Sequence, residues 1–127
     1  MISLLVKPIE FCIKRMKYMG TLSDIVCVKY SVGDLVHHRL FDYRGVIVDV
    51  DMNFQASDEW YDSVAKSRPP KNKPWYHVLV HGNVHSTYVA EQNLEPDTLS
   101  EPINHPMLDQ FFSNFNNGKY IQNRPFN

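Results

Sequence analysis

The sequence predicts a mainly β domain, a small antiparallel barrel with short helical turns and one C-terminal helix. Three observations lead there. Short apolar runs recur between turn signals at near-regular spacing from residue 31 to residue 90. Within that span one longer stretch has helical character, opened by Ser57-Asp58-Glu59 and stopped by Pro69-Pro70. Beyond Pro106 the apolar spacing lengthens from two residues to three or four.

Each element has its own signal. Ser31-Val32-Gly33-Asp34 is a turn, and Leu35-Val36-His37-His38 the short strand after it. A second turn, Phe41 to Gly45, leads into Val46-Ile47-Val48-Asp49-Val50-Asp51, the strongest strand in the chain. Strict alternation there puts Val46, Val48 and Val50 on one face and Ile47, Asp49 and Asp51 on the other, as in a half-buried strand. Ser57 caps the helical stretch, with two acids in its first turn. Residues 74–81 and 85–90 read as a hairpin around Gly82-Asn83, and residues 91–97 as one helical turn closed by proline. Met107, Leu108, Phe111, Phe112 and Phe115 fall on one helical stripe, which predicts a helix over about 106–116 ended by Asn117-Gly118.

Composition limits the function classes. At 127 residues the chain is one domain, and 43% hydrophobic content with a net charge of −1 excludes an intrinsically disordered chain. A general nucleic-acid binder needs a basic excess that this chain lacks overall. Residues 1–28 carry a surplus of two positive charges, so residues 29–127 are mildly acidic, at −3. Residues 1–28 read as an N-terminal extension, disordered or preceding the true start, with Met16 and Met19 as alternative starts; Phe11, Lys14 and Arg15 also suit an amphipathic basic helix. The opening apolar run is broken by Lys7, Pro8 and Glu10, which argues against a secretory signal, and no stretch of about 20 apolar residues spans a membrane. Two cysteines without a CxxC pair fit reduced thiols in a cytoplasmic protein.

Catalytic signatures are absent: the sequence contains no GxSxG, phosphate loop, HExxH or dinucleotide fingerprint, so no enzyme, cofactor or catalytic residue is expected. His77 and His81 lie about 13 Å apart along a strand at ~3.3 Å per residue, too far to share one zinc. His81 could still pair with His85 across the turn, and Asp49 with Asp51 at a strand end. The expectation is nevertheless a solvated rim and no metal site. Lys66, Arg68, Lys71 and Lys73 around the two prolines form the one dense basic segment, followed directly by Trp75 and Tyr76. That segment is either a solvated loop or a set of phosphate contacts.

Four blocks together resemble the HspQ family, also called the YccV-like or hemimethylated-DNA-binding domain family. They are Lys29 to Arg39 (KYSVGDLVHHR), Tyr43 to Asp51 (YRGVIVDVD), Pro74 to Val80 (PWYHVLV) and Thr87 to Leu94 (TYVAEQNL), and the resemblance spans about residues 29–125. It implies an SH3-like β-barrel and a non-enzymatic bacterial stress protein. Its expected role is an adaptor that promotes degradation of denatured or regulatory proteins, such as the replication initiator DnaA, by a Lon-type protease. It also implies binding to hemimethylated duplex DNA, and assembly as a trimer. On the adaptor reading, Phe111, Phe112 and Phe115 are the partner-binding stripe. On the DNA reading, Tyr43, Arg44 and Trp75 approach the methylated base, and Lys66, Arg68, Lys71 and Lys73 contact phosphates. Four such contacts predict a log K against log salt slope of about −3.6. A metal-dependent enzyme built on His81, His85 and the two aspartates is the minor alternative.

Overall fold

The computed structural model describes residues 11–16 and 22–123. Strands β1 (Phe11–Met16) and β2 (Leu22–Val28) form an antiparallel hairpin, so Phe11, Lys14 and Arg15 lie on a strand where an amphipathic helix was expected. The rest of the expected 1–28 extension, including Met19, lies outside the described residues. Cys12 stands opposite Cys27 in this hairpin and Cys27 is disulfide-bonded, which corrects the expectation of reduced thiols.

The next strands are β3 (Leu35–His38), β4 (Arg44–Asp51), β5 (Trp75–Val80), β6 (Ser86–Ala90) and β7 (Leu94–Pro96). They form one antiparallel sheet in the order β6-β5-β4-β3-β7. Its edge strands, β6 and β7, are joined only by a 3-10 turn, Glu91–Asn93. A flat five-stranded sheet would hold its edges about 19 Å apart at ~4.8 Å per strand. A 3-10 turn rises only ~2 Å per residue. The sheet must therefore be strongly curled to bring its two edges together. β6 and β7 are not paired to each other, so hydrogen bonds among the described residues do not close the ladder.

Curling gives the sheet an inner and an outer face, both covered. Tyr30, Val36, Ile47, Tyr76, Val78, Val89 and Leu94 form the inner cluster. On the outer face Leu35, Val46 and Leu79 pack with Ile103, Phe112 and Tyr120. A third cluster, Tyr61, Ala65, Trp75 and Ala90, is joined by Phe54, Trp60 and Tyr88. The short helix α1 (Asp58–Val64) belongs to this cluster, and Ser57 caps it by accepting the Trp60 N–H at 3.1 Å, as expected.

Two local irregularities overturn the simple periodicities. In β4 the register slips between Ile47, opposite Val78, and Asp49, opposite His77. Val48 is the extra residue of a bulge, which reverses the alternation beyond it. Val46 and Val48 therefore pack with the outer cluster, while Ile47 and Val50 pack with the inner one. The strand is covered on both faces, not half-buried.

The C-terminal helix expected over 106–116 is one turn, α2 (Leu108–Phe111), followed by the hairpin of β8 (Phe112–Asn116) and β9 (Lys119–Gln122). A slip between Phe112 and Asn114 leaves Ser113 unpaired, so Phe112 and Phe115 reach the same cluster although three residues apart. The bulge thus imitates helical spacing. Asn117-Gly118, read as a helix stop, is the hairpin turn, with φ of 53° and 76°, the left-handed pair of a type I′ turn. The partner-binding stripe is corrected with it: Phe112 is 4% exposed, and Phe111 and Phe115 are half-buried against the outer cluster. The hairpin docks where Tyr120 donates its N–H to the Gly33 carbonyl and accepts the Ile103 N–H at its hydroxyl. Gly33 has φ of +98°, and a Cβ there would collide with the Tyr120 carbonyl.

Candidate interaction surface

The basic loop wraps the third cluster. Lys71 lies 4.3 Å from the Tyr61 ring centroid and 3.0 Å from Asp58 Oδ1, and Arg68 lies 4.6 Å from the same centroid and 2.9 Å from Asp62 Oδ1. These two cations are exposed but already neutralised and stacked. Lys66 and Lys73 are exposed and make no ion pair among the described residues. Of the four expected phosphate contacts, Lys66 and Lys73 carry no ion pair among the described residues, while Arg68 and Lys71 would have to exchange an exposed one.

The other DNA candidates lie inside the fold. Trp75 is 1% exposed, and its indole N–H donates to the Pro70 carbonyl at 3.1 Å. Stacking on bases is excluded while it fills the core. Arg44 makes a two-pronged pair with Asp97, at 3.1 and 3.0 Å, and also donates to the Glu101 carbonyl. With side-chain exposures of 14% and 3%, the pair fastens the start of β4 to the chain after β7. Tyr43 is half-buried, its hydroxyl 2.7 Å from Thr87 Oγ1.

An apolar surface that the sequence reading did not single out lies on the β3–β4 turn. Buried His38 accepts the N–H groups of Leu40 and Phe41 at its Nδ1, at 3.1 and 3.0 Å, and stacks on the Phe41 ring at 4.8 Å. Accepting two amides requires Nδ1 to be unprotonated, and burial, aided by the charge of His37, holds the His38 pKa below its usual value. His37 next to it bridges Asp42 at 2.6 Å and Glu95 at 2.7 Å. Hydrogen bonding to the Asp42 carboxylate, opposed by desolvation and reinforced by Glu95, raises the His37 pKa. So fastened, the turn holds Leu40 and Phe41 outward at 59% and 73% exposure. With Val64, itself 53% exposed, they border a groove of about 100 Å³ whose wall includes Trp60, Lys66 and Asn93. That volume is well below the ~300 Å³ of a typical small-molecule pocket and suits one inserted side chain. The signal in the sequence was two large apolar residues placed inside a turn.

A polar group occupies the outer face between the second and third clusters. Asp49, His77 and Tyr88 are opposite one another on β4, β5 and β6. Asp51 shares the outer face, two residues on. Its Oδ2 accepts the Tyr88 hydroxyl at 2.6 Å and lies 3.3 Å from His77 Nε2. Tyr88 also accepts the Gln55 N–H at 3.0 Å, and burial followed by the Asp51 hydrogen bond raises its pKa strongly. His81 and His85, the histidines singled out with these aspartates, are elsewhere: His81 Nδ1 accepts the Asn104 N–H, and His85 is an exposed side chain. No described helix is long and apolar enough to cross a membrane.

Comparison with known families matches residues 28–119 to the model described as "Hemimethylated DNA-binding protein YccV like". The match covers the whole curled sheet and stops at the start of β9. The chain belongs to the YccV-like family.

Proposed function

We propose that this YccV-like protein is a non-enzymatic adaptor that presents unfolded client segments to a Lon-type protease. One observation carries the reading: Leu40 and Phe41 are large apolar side chains held outward by a hydrogen-bonded turn. Exposed apolar groups on a fixed turn lose little entropy on binding, and aromatic anchors beside a small groove are where interface energy concentrates. A client exposing apolar side chains supplies the complementary surface. The curled strand order also supports an SH3-like barrel, a fold able to display such a turn.

The test is degradation of a denatured client, casein serving as probe, by a Lon-type protease with the full chain added. Loss of an aromatic anchor costs about 2 kcal/mol, so Phe41→Asp should weaken half-maximal stimulation about 30-fold without changing the far-ultraviolet spectrum. Unchanged stimulation by this variant and by Leu40→Asp would overturn the docking surface.

Hemimethylated DNA binding is the second reading, favoured by the family description and by the free Lys66 and Lys73. Phosphate contacts by Lys66 and Lys73 alone predict a salt slope of about −1.8, half the value expected when all four cations were counted.

A further inference from the structure

We propose that Asp49, Asp51 and His77 form a binding site for a divalent first-row transition-metal cation of the zinc or manganese type. The inference is independent of the adaptor reading and concerns another face of the molecule. Asp49 and His77 are register partners on adjacent strands, and Asp51 lies two positions further on the same side. The Val48 bulge creates this arrangement. In regular pairing Asp49 would oppose Tyr76 and point into the inner cluster; the extra residue turns it outward beside His77.

One ligand atom from each of the three residues lies within 4.8 Å of the other two. Tetrahedral zinc with bonds of ~2 Å has ligand-to-ligand edges of about 3.3 Å. Asp51 Oδ2 and His77 Nε2 are already 3.3 Å apart. Only Asp49 must close in, and its exposed carboxylate turns about its own side-chain bonds. Asp49 Oδ1 accepts the Val50 N–H, which leaves Oδ2 for a cation.

Two further observations separate this group from an ordinary acidic rim. No lysine or arginine pairs with Asp49 or Asp51 among the described residues, so no fixed cation offsets their charge. Tyr88 then supplies the outer support typical of metal sites, donating to Asp51 while Gln55 fixes its hydroxyl. The imidazole nitrogen decides the class of cation, because magnesium and calcium favour all-oxygen sets. Three protein ligands leave a coordination position for water or an anionic ligand.

The experiment uses the untagged full chain, freed of metal by a chelator. Titration calorimetry with zinc chloride should give one site, weakened at least tenfold by His77→Ala and by Asp51→Asn, and about tenfold by Tyr88→Phe. The double substitution His81→Ala with His85→Ala should leave that site intact. Manganese added to the wild-type chain should broaden the amide resonances of Asp49, Asp51, His77 and Tyr88 first, a readout that needs no variant to fold. No binding up to about 1 mM zinc, affinity that survives both His77→Ala and Asp51→Asn, or broadening centred on His81 and His85 would each overturn the site.

Discussion

Trp75→Ala should destabilise the protein by about 3–5 kcal/mol, the range for truncating a buried aromatic side chain to alanine. Trp75 is 1% exposed at the centre of the third cluster, within 4.8 Å of Phe54 and 5.2 Å of Tyr88 by ring centroid. Alanine would leave those rings facing a void and release the Pro70 carbonyl from its indole donor. The basic loop rests on the same cluster through Tyr61 and Phe54, so it should loosen too. Denaturant unfolding of wild type and variant measures the loss. The alternative is specific: a base-stacking tryptophan would cost ~1–3 kcal/mol of DNA affinity and little stability. Weakened binding to a half-methylated duplex with an unchanged unfolding midpoint would therefore reinstate Trp75 as a contact.

How far the sequence disclosed this arrangement depended on whether a feature was local or set by pairing. The strands at Leu35, Val46 and Trp75 were legible because alternation and turn residues mark them within a few positions. So was the Ser57 cap. β7 was hidden because Leu94-Glu95-Pro96 is too short to show a period. Both bulges were invisible for a stronger reason: a single inserted residue changes which side chains share a face without altering composition. That is why Phe112 and Phe115 resembled a helix stripe and Val46 and Val50 seemed to share a face. Asn117-Gly118 is the exception, being a recognised hairpin signal that the apparent helix overrode. For the interaction surface the limit was different. Basic residues can be counted in a sequence, but whether each is already paired depends on acids such as Asp58, Asp62 and Asp97 brought close by folding. The Asp49–Asp51–His77 group needed the β4–β5 register before its third member could be named.

Arg44 tests that distinction most severely. Its guanidinium is the partner of Asp97, whose side chain is only 3% exposed, so Arg44→Ala should leave a carboxylate buried and uncompensated. Breaking a buried pair in this way costs about 3–5 kcal/mol, much more than deleting a surface cation. Asp97→Ala alone also leaves a charge uncompensated, but Arg44 is the more exposed partner and can reach water, so that loss should be smaller. The pair also fixes a sign in the pH dependence. Desolvation pushes the Asp97 pKa up, but the hydrogen bonds and charge of Arg44, with backbone N–H donors at Ser100 and Leu99, pull it below the usual carboxylate value. A depressed folded pKa contributes stability above the unfolded value of ~3.9, lost as pH falls through the folded one. In Arg44→Ala the chief lowering influence is gone while the Ser100 and Leu99 donors remain, so the Asp97 pKa should rise from its depressed value. The stability that the depressed pKa supplies above the unfolded value of ~3.9 is then reduced or absent in the variant. Urea unfolding between about pH 3 and pH 7 should therefore show the variant's deficit growing with pH. A constant small deficit across that range, accompanied by weaker duplex binding, would instead mean that Arg44 faces DNA and that its pair with Asp97 contributes little.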